Sequence, residues 1–148
     1  MKKPLKILFV CRANLCRSVM AEGIAKKLAK WDKAEIKSAG TEAENGLRAA
    51  DIAIKVAEAD IDGVYLRDHR SRRLNAELVD WADIIYLPTT RRRRQVEHMF
   101  PAAVEKVRMI DEQRDFPDPI HAQDRVFYEL YAQLKVAIKE RFTELDIL

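Results

Sequence analysis

The sequence predicts an α/β fold in a single domain over residues 1–148: a four-stranded parallel sheet with helices on both faces. Short apolar runs, rich in β-branched and aromatic residues, alternate with segments whose apolar residues recur every three to four positions. Such alternation favours parallel strands joined by right-handed helical crossovers. With 148 residues, 48% of them hydrophobic and 34% charged, the chain is long enough to enclose one core.

The first half of the chain contains two predicted strands and two predicted helices. Residues 5–10 form a buried strand, and residues 18–31 form a helix whose apolar stripe extends to Trp31. Residues 34–38 form a second strand, which ends before Gly40. Residues 47–59 give another amphipathic helix, with Leu47 as its first apolar residue.

The second half contains two more strands and three more helices. A helix over residues 75–82 is capped by Asn75, and a strand over residues 83–87 stops at Pro88. Thr89 or Thr90 caps an arginine-rich helix that continues to about residue 100, and residues 106–110 form the fourth strand. After an irregular loop over residues 111–123, Asp124 is expected to cap a long final helix. Its apolar stripe is predicted to be core: Phe127, Leu130, Leu134, Ile138, Phe142 and Leu145.

Composition excludes several classes of protein. The net charge of +3 gives no strong attraction to nucleic acid, and the run Arg91–Arg94 is interpreted as a solvated helix face. No apolar stretch is long enough to span a membrane, and the first apolar run is a strand and not a signal peptide. Two cysteines are too few for a disulfide framework or a structural metal site. We therefore expect a cytoplasmic protein without metal or cofactor, with no nucleic-acid or membrane partner.

The most informative segment is residues 11–18, here called the Cys11 loop, which directly follows the first strand. Cys11 and Arg17 are separated by five residues, and Ser18 follows at the predicted start of a helix. The backbone N–H groups of such a loop can surround a tetrahedral oxyanion, and the helix adds its positive end. Arg17 can bind two of the oxygens, while the same positive field favours the Cys11 thiolate. The pattern predicts covalent phosphate chemistry; the alternative is a buried structural thiol and a surface arginine.

A phosphate site of this kind also needs a carboxylic acid to protonate the leaving group. Asp118 is the best candidate, because Pro117 and Pro119 stiffen the backbone on both sides of it. It follows the fourth strand, and parallel strands end at the same edge of a sheet. The alternative is a turn aspartate, and Asp111 and Asp115 are the other possible acids.

Five ordered motifs show that the chain resembles the low-molecular-weight protein tyrosine phosphatases. They are residues 10–18, 20–22, 38–41, 69–72 and 118–119. The resemblance implies a four-stranded parallel sheet, no metal, a phosphorylated protein substrate and a cysteinyl-phosphate intermediate. It makes Cys11 the nucleophile, Arg17 the phosphate clamp and Asp118 the general acid and then base. Ser18 would stabilise the thiolate and help it leave.

The resemblance also implies supporting residues in and around the Cys11 loop. Asn14 would be held by hydrogen bonds with Ser18, Ser38 and His69, which gives His69 a structural role. The remaining loop residues expected around the phosphate are Arg12, Ala13, Leu15 and Cys16. Cys16 is either a small apolar filler or a thiol that forms a reversible disulfide with oxidised Cys11.

The chain departs from the family in the loop and at the expected pocket wall. Ala13 replaces the usual glycine, and Val19 replaces the usual proline, which should affect only helix initiation. Residues 42–45 and 120–121 lack the two aromatic residues of tyrosine-selective members. A phenyl phosphate would thereby lose stacking partners worth roughly 0.5–1.5 kcal/mol each.

Four functions are compatible with the Cys11 loop, and a protein-tyrosine phosphatase ranks first. A protein-arginine phosphatase on the same scaffold ranks second: that subgroup carries threonine where this chain has Leu15, but Glu42 and Glu44 could face a cationic guanidinium. A thioredoxin-coupled arsenate reductase needs further cysteines downstream, and none follows Cys16. An inactive phosphate-binding module is disfavoured because Cys11, Arg17 and Asp118 are all present.

Overall fold

Four parallel strands form the central sheet, as the sequence predicted. The computed structural model describes residues 3–148, so that Met1 and Lys2 of the predicted domain lie outside it. In chain order the strands are β1 Leu5–Cys11, β2 Ala34–Gly40, β3 Ile84–Leu87 and β4 Val107–Met109. Their order across the sheet is β2-β1-β3-β4, and all pairings are parallel. The α/β fold class is therefore confirmed.

Helices cover both faces of this sheet. The helices are α1 Arg17–Leu28, α2 Asp51–Glu58, α3 Ala76–Trp81, α4 Thr90–Met99 and α5 Asp124–Leu145, with a 3₁₀ turn at Pro101–Ala103. Side chains alternate along β1, so Ile7 and Phe9 belong to one core, with α1, α2 and α5. Leu8 and Val10 belong to the other core, with α3 and α4. Because β1 is buried on both faces, its sequence is continuously apolar from Ile7 to Val10.

Three helix ends differ from the prediction. Helix α1 ends at Leu28, and Trp31 is 92% exposed instead of continuing the apolar stripe. Helix α2 begins at Asp51, because the segment before it is held as a loop: the Leu47 N–H donates to the Ser71 Oγ. Asp124 is the first residue of α5 and not its cap; Gln123 occupies the cap position without a side-chain hydrogen bond. Tertiary contacts and the reversal of the chain determine where these helices begin and end, and the local sequence pattern does not indicate them.

The other predicted caps and the long apolar stripe agree with the structure. Asn75 accepts a hydrogen bond from the Leu78 N–H at the start of α3, and Thr89 accepts one from the Arg92 N–H at the start of α4. The stripe on α5 is buried, except that Leu145 is only partly buried: Phe127, Leu130, Leu134, Ile138 and Phe142. No helix in the described part of the chain has the length and apolar character needed to cross a bilayer.

The carboxyl ends of the strands bring three loops to one edge of the sheet. Cys11 and Gly40 are paired at the ends of β1 and β2. Pro88 follows β3, and its carbonyl accepts a hydrogen bond of 2.8 Å from the Phe116 N–H. That bond fixes the proline-flanked Asp118 segment at the edge where β1 ends. The topology thus places the Cys11 loop and Asp118 at the same edge, the usual ligand-binding position in such sheets.

An ion-pair cluster away from this edge fastens the end of α2 to α5. The Asp60 side chain is 3% exposed and accepts hydrogen bonds from the Tyr131 hydroxyl and the Lys135 Nζ, the latter at 3.0 Å. Burial opposes the charged carboxylate, but hydrogen bonds from Tyr131, the Asp62 N–H and Lys135 outweigh it, so the pKa of Asp60 is lowered. The same contacts raise the pKa of Lys135.

We expect Asp60→Asn to lower the free energy of unfolding by about 1–3 kcal/mol near pH 7, because a buried charged acceptor is lost. A carboxyl group whose pKa is lower in the folded state than in the unfolded state stabilises the fold at pH values above its ordinary pKa of 3.8. That contribution disappears as the pH falls through the lowered value, so wild type and variant should converge only below about pH 4. Denaturant unfolding measures both effects. Asp62→Asn is the matched control, because Asp62 binds the same lysine but is 58% exposed; equal losses in both variants would contradict this account.

Candidate active site

The carbonyl groups of the Cys11 loop are held from outside the loop. Those of Cys11 and Arg12 accept hydrogen bonds from the N–H groups of Thr41 and Glu42, at 2.9 and 2.8 Å. Ala50 N–H donates to the Leu15 carbonyl at 3.0 Å. Within residues 3–148, the N–H groups of residues 12–16 donate to no other backbone group. They are available to an anion, and the N-terminus of α1, which has no side-chain cap, adds to them.

Asn14 forms the turn of this loop. Its backbone has a φ of 60°, in the left-handed region that asparagine tolerates better than most residues. The Asn14 carbonyl accepts a hydrogen bond of 2.9 Å from His69 Nε2, so that nitrogen carries the hydrogen. Ala13 does not have a positive φ, which explains how alanine is accommodated where the family usually has glycine. Asn14 is thus the one residue of the loop with a left-handed backbone.

The Asn14 side chain is fully buried, and three hydrogen bonds fix its orientation. Its Oδ1 accepts from the Arg72 N–H at 3.0 Å, and because an N–H only donates, the amide can face only one way. Its Nδ2 then donates to Ser18 Oγ at 2.8 Å and to Ser38 Oγ at 2.9 Å. The family resemblance implied the contacts with Ser18 and Ser38, whereas the one with the Arg72 N–H was not predicted. We call Asn14, Ser18, Ser38, His69 and the Arg72 N–H the Asn14 network.

Ser18 connects the Asn14 network to the Cys11 sulfur. Ser18 Oγ lies 2.9 Å from Cys11 Sγ and already accepts a hydrogen bond from Asn14. A thiolate can only accept a hydrogen bond, so when Cys11 is ionised the single hydrogen of the Ser18 hydroxyl is directed at the sulfur. A hydrogen bond donated to sulfur stabilises the thiolate over the thiol. Cys11 is 3% exposed, so this contact replaces much of the solvation that the thiolate would otherwise have.

Gly40 allows the end of β2 to approach the loop backbone. A methyl group at this position would lie 2.6 Å from the Arg12 carbonyl oxygen, 2.8 Å from Asn14 N and 2.9 Å from Ala13 C. All three atoms belong to the backbone, so a side-chain rotation could not relieve the overlap. Sequence reasoning gave Gly40 no role beyond ending a strand, although it lies in one of the recognised motifs.

Two arginines and Asp118 meet beside Cys11. Arg17 is 3% exposed; its NH1 donates to the Phe116 carbonyl at 3.0 Å, and its NH2 lies 3.7 Å from Asp118 Oδ2. Arg12 Nε donates to the same Oδ2 at 3.1 Å. The Ile120 N–H donates to Oδ1 at 3.1 Å, across Pro119, which has no N–H of its own. The structure thus brings Cys11, Arg17 and Asp118 together.

These contacts lower the pKa of Asp118. Partial burial of the carboxyl opposes its ionisation, but the hydrogen bonds from Ile120 and Arg12 and the charges of Arg17 and Arg12 outweigh it. Asp118 is therefore a carboxylate at neutral pH before any phosphate binds. A phosphate dianion that takes over the guanidinium groups would weaken their hold on the carboxylate and raise its affinity for a proton.

The other two candidate acids are engaged elsewhere. Asp115 Oδ1 accepts hydrogen bonds from the N–H and hydroxyl of Thr90 at the start of α4. Asp111 accepts from the side chain of Arg114 and the N–H of Gln113 within its own loop. Neither lines the cavity over Cys11, whereas Asp118 does. Asp118 is the carboxylate that the structure brings to the nucleophile.

The cavity over Cys11 has a volume of about 240 Å³ and a largely apolar wall. The wall residues away from the loop are Ala50, Ile52, Ile120, His121, Ala122 and Phe127, and Leu15 and Cys16 contribute from the loop. Phe127 was interpreted only as a core residue, but it is also an aromatic group in the wall. In the described part of the chain, no three His, Cys, Asp or Glu side chains converge to hold a metal ion.

Cys16 lines this cavity as a free thiol. Burial, together with the charges of Cys11 and Asp118, raises the pKa of Cys16 to about 12, against the opposing effect of Arg17 and Arg12. Cys16 is therefore predominantly a thiol at physiological pH. Burial lowers the pKa of His69, and the positive charges of Arg72 and Lys26 lower it further. These effects outweigh the hydrogen bond to the Asn14 carbonyl and the negative charge of Glu22, which raise it.

Arg92 does not belong to a solvated helix face, as the sequence had suggested. Its side chain is 12% exposed and its NH1 contacts Glu42 Oε2 at 3.0 Å, Gln95 Oε1 at 2.6 Å and Thr41 Oγ1 at 3.4 Å. It binds the loop after β2 to α4, a long-range contact that leaves no local signal. Arg91 and Arg94 are exposed, as predicted.

Fold and site together define a cysteine-dependent phosphatase. A family model described as low molecular weight phosphotyrosine protein phosphatase matches residues 6–147. A low molecular weight protein-tyrosine-phosphatase of Acinetobacter johnsonii is 31% identical over 125 residues, covering 83% of this chain and 84% of that protein. A protein-arginine-phosphatase of Geobacillus stearothermophilus is 36% identical over 104 residues, covering 70% and 67%.

Structural comparison gives the same assignment. The structure of an arginine phosphatase from Geobacillus stearothermophilus superposes with a TM-score of 0.90 at 29% identity, covering 97% of this chain and 94% of that one. The chain belongs to the low molecular weight phosphotyrosine protein phosphatase family, whose members are metal-independent hydrolases.

We expect Gly40→Ala to displace the loop backbone. The free energy of unfolding should fall by about 1–3 kcal/mol, as at other overpacked sites. The kcat/KM for p-nitrophenyl phosphate should fall about 100-fold, because the loop positions the reacting groups. Gly63→Ala is the control: Gly63 has a φ of +68° outside the loop, so alanine there costs about 1 kcal/mol without reducing activity. Loss of activity in both variants, in proportion to stability, would contradict a specific role for Gly40.

We expect Arg12→Met to raise the pKa of Asp118 in the free enzyme, because the variant removes a hydrogen bond and a positive charge that favour the carboxylate. The titration can be followed at the carboxyl carbon of Asp118 by ¹³C NMR. Arg114→Met is the matched control, since Arg114 pairs with Asp111 at 3.0 Å in the same loop. A titration midpoint in Arg12→Met that stays level or moves to lower pH would be inconsistent with the geometry.

Proposed function

We propose that Cys11, Arg17 and Asp118 carry out the hydrolysis of a phosphorylated protein side chain in two steps. The Cys11 thiolate attacks phosphorus, and the bond from phosphorus to the leaving oxygen breaks. Arg17 and the free N–H groups of the Cys11 loop bind the phosphoryl oxygens, where negative charge develops. The observation that carries the proposal is the meeting of a hydrogen-bonded thiol, a buried guanidinium and a carboxyl group around one cavity.

Asp118 acts in both steps. When the phosphate binds the guanidinium groups, the Asp118 carboxylate takes up a proton from solvent, and it then gives this proton to the departing oxygen, so that the leaving group departs neutral. It then takes a proton from a water molecule that attacks the cysteinyl phosphate. The sulfur–phosphorus bond breaks, inorganic phosphate leaves and the thiolate returns. Ser18 stabilises that thiolate as a leaving group through the hydrogen bond from its hydroxyl, which the Asn14 network directs.

Phosphotyrosine is the substrate that the cavity wall fits best. The phenyl ring requires an apolar wall, and Leu15, Ile52, Ile120 and Phe127 supply one. Phe127 gives an aromatic contact, although the two aromatic positions typical of tyrosine-selective members are not aromatic here. The similarity to a protein-tyrosine-phosphatase of Acinetobacter johnsonii supports this assignment. A reducing cytoplasm suits such an enzyme, because it keeps the thiolate unoxidised.

Phosphoarginine is the second candidate, favoured by the similarity to the arginine phosphatase of Geobacillus stearothermophilus. Of the two carboxylates expected to face a guanidinium, Glu42 pairs with Arg92 at 3.0 Å and Glu44 is exposed, and neither lines the cavity over Cys11. Leu15 offers no hydroxyl to a guanidinium phosphate, whereas the arginine-directed subgroup has threonine at this position. Phosphoarginine therefore ranks second.

Cys11→Ser should abolish hydrolysis of p-nitrophenyl phosphate, because a serine hydroxyl is not ionised at neutral pH. Asp118→Ala should lower kcat by about 10²–10⁴-fold with a poor leaving group, and less with p-nitrophenolate, which needs little protonation. Asp111→Ala is the matched control, and its leaving-group dependence should equal that of wild type. An active Cys11→Ser enzyme, or equal behaviour of the two aspartate variants, would overturn these assignments.

Substrate preference can be measured with two peptides of identical sequence, one carrying phosphotyrosine and the other phosphoarginine. We expect kcat/KM to favour phosphotyrosine by about tenfold or more, since apolar pocket contacts discriminate by about 1–3 kcal/mol. Leu15→Thr should narrow this ratio by weakening the apolar wall. A wild-type enzyme that prefers phosphoarginine would show that the second candidate is correct.

A further inference from the structure

Glu22 contacts the Asn14 network through Ser38 and does not line the cavity over Cys11. It is on α1, one turn after Ser18, and its side chain is 17% exposed. Its Oε1 accepts a hydrogen bond from the Ser38 hydroxyl, and its Oε2 accepts one of 2.6 Å from Lys26 Nζ. The sequence places Glu22 within a family motif but assigns it no role.

With a carboxylate at Glu22 and a thiolate at Cys11, the hydrogen bonds between them have only one consistent direction. A carboxylate only accepts, so Ser38 gives its single hydrogen to Glu22. Ser38 Oγ is thereby left as an acceptor for Asn14 Nδ2, whose second hydrogen goes to Ser18. Ser18 in turn gives its hydrogen to Cys11 Sγ. Glu22 is the terminal acceptor that keeps every hydroxyl in this series pointing the same way.

We propose that Glu22 is a positioning residue for Cys11: it acts through Ser38 and Asn14 to hold the Ser18 hydrogen on the sulfur. The proposal rests on the proposed function, in which Cys11 is the nucleophile. Without an acceptor at position 22, the Ser38 hydroxyl can direct its hydrogen towards Asn14 Nδ2, so that the Asn14 amide, although still oriented by the Arg72 N–H, is pushed out of its hydrogen-bonded position beside Ser18. Ser18 can then turn its hydrogen away from Cys11, and the thiolate loses stabilisation.

The direction of the effect separates this role from simple electrostatics. A negative charge near Cys11 disfavours the thiolate, so removing it should make the thiolate easier to form. The hydrogen-bond role predicts the opposite, because losing the acceptor makes the thiolate harder to form. The charged groups that face Glu22 do not alter this contrast. They line a separate cavity of about 290 Å³ with it: Lys26, Asp68, His69, Arg70 and Arg72.

The test is the pH dependence of Cys11 alkylation by iodoacetamide, with the modified residue identified by mass spectrometry. In Glu22→Leu, the midpoint should move up by about one pH unit, so that alkylation below the midpoint is about tenfold slower. Glu22→Gln keeps an acceptor oxygen for Ser38 and should restore most of the wild-type behaviour. Lys27→Met, on the exposed side of the same helix, should be unchanged. A midpoint that stays level or moves down in Glu22→Leu would overturn the proposal.

A double-mutant cycle with Ser38→Ala tests the route of the effect. If Glu22 acts through Ser38, Glu22→Leu should produce no further change once Ser38 is alanine. Additive changes would contradict the route. Thermal unfolding identifies any variant that fails to fold. If Glu22→Leu does not fold, the comparison of Glu22→Gln with wild type still tests the proposal. Alkylation needs no substrate, so it tests the role of Glu22 independently of the proposed phosphatase activity. That activity is measured separately, by kcat and KM for p-nitrophenyl phosphate.

Discussion

The Cys11 loop depends on Asn14, which holds a left-handed backbone turn and orients the hydrogen bonds around it. A left-handed residue costs roughly 1–2 kcal/mol, and less for asparagine than for most others. Buried hydrogen bonds to Ser18, Ser38, Arg72 and His69 offset that cost, at about 0.5–1.5 kcal/mol each. Because the left-handed turn and the network share Asn14, hydrogen bonds within the protein hold the shape of the loop. The N–H groups are thus directed by the protein's own contacts towards the place of an anion.

Charge is organised around the same loop. Arg17 is buried, and together with Arg12 it holds Asp118 as a carboxylate. A phosphate dianion would compete for these guanidinium groups, so substrate binding and the protonation of the acid are coupled. In the proposed mechanism, Asp118 is a carboxylate in the free enzyme and takes up a proton when the substrate binds. Pro117 and Pro119 limit how far the carboxyl can move during this exchange. The hydrogen bond from Phe116 to Pro88 keeps the whole segment at the sheet edge.

The sequence predicts the parts of the structure that local patterns encode. Strands appear as continuous apolar runs because they are buried on both faces, and the observed strands lie within two residues of the predicted ones. The Cys11 loop is visible because its thiol, guanidinium and hydroxyl are adjacent in sequence. Contacts between distant segments are not visible in this way. Trp31 ends up exposed where chain reversal cuts the helix short, Arg92 binds a loop 50 residues away, and Gly40 is needed only because of backbone that precedes it by many residues. Glu22 contributes through a hydroxyl on another strand, so its spacing from Cys11 carries no signal.

The central claim, that Cys11 becomes phosphorylated during turnover, is tested most directly by trapping the intermediate. Asp118→Ala is suited to this, since it lacks the base for the second step while p-nitrophenolate still leaves without a proton. Rapid acid quenching during turnover, followed by digestion and mass spectrometry, locates the phosphoryl group. We predict a phosphoryl group on the peptide that contains Cys11, attached to its sulfur. Phosphorylation of a different residue, or turnover with no covalent phosphoenzyme at any quench time, would contradict the account.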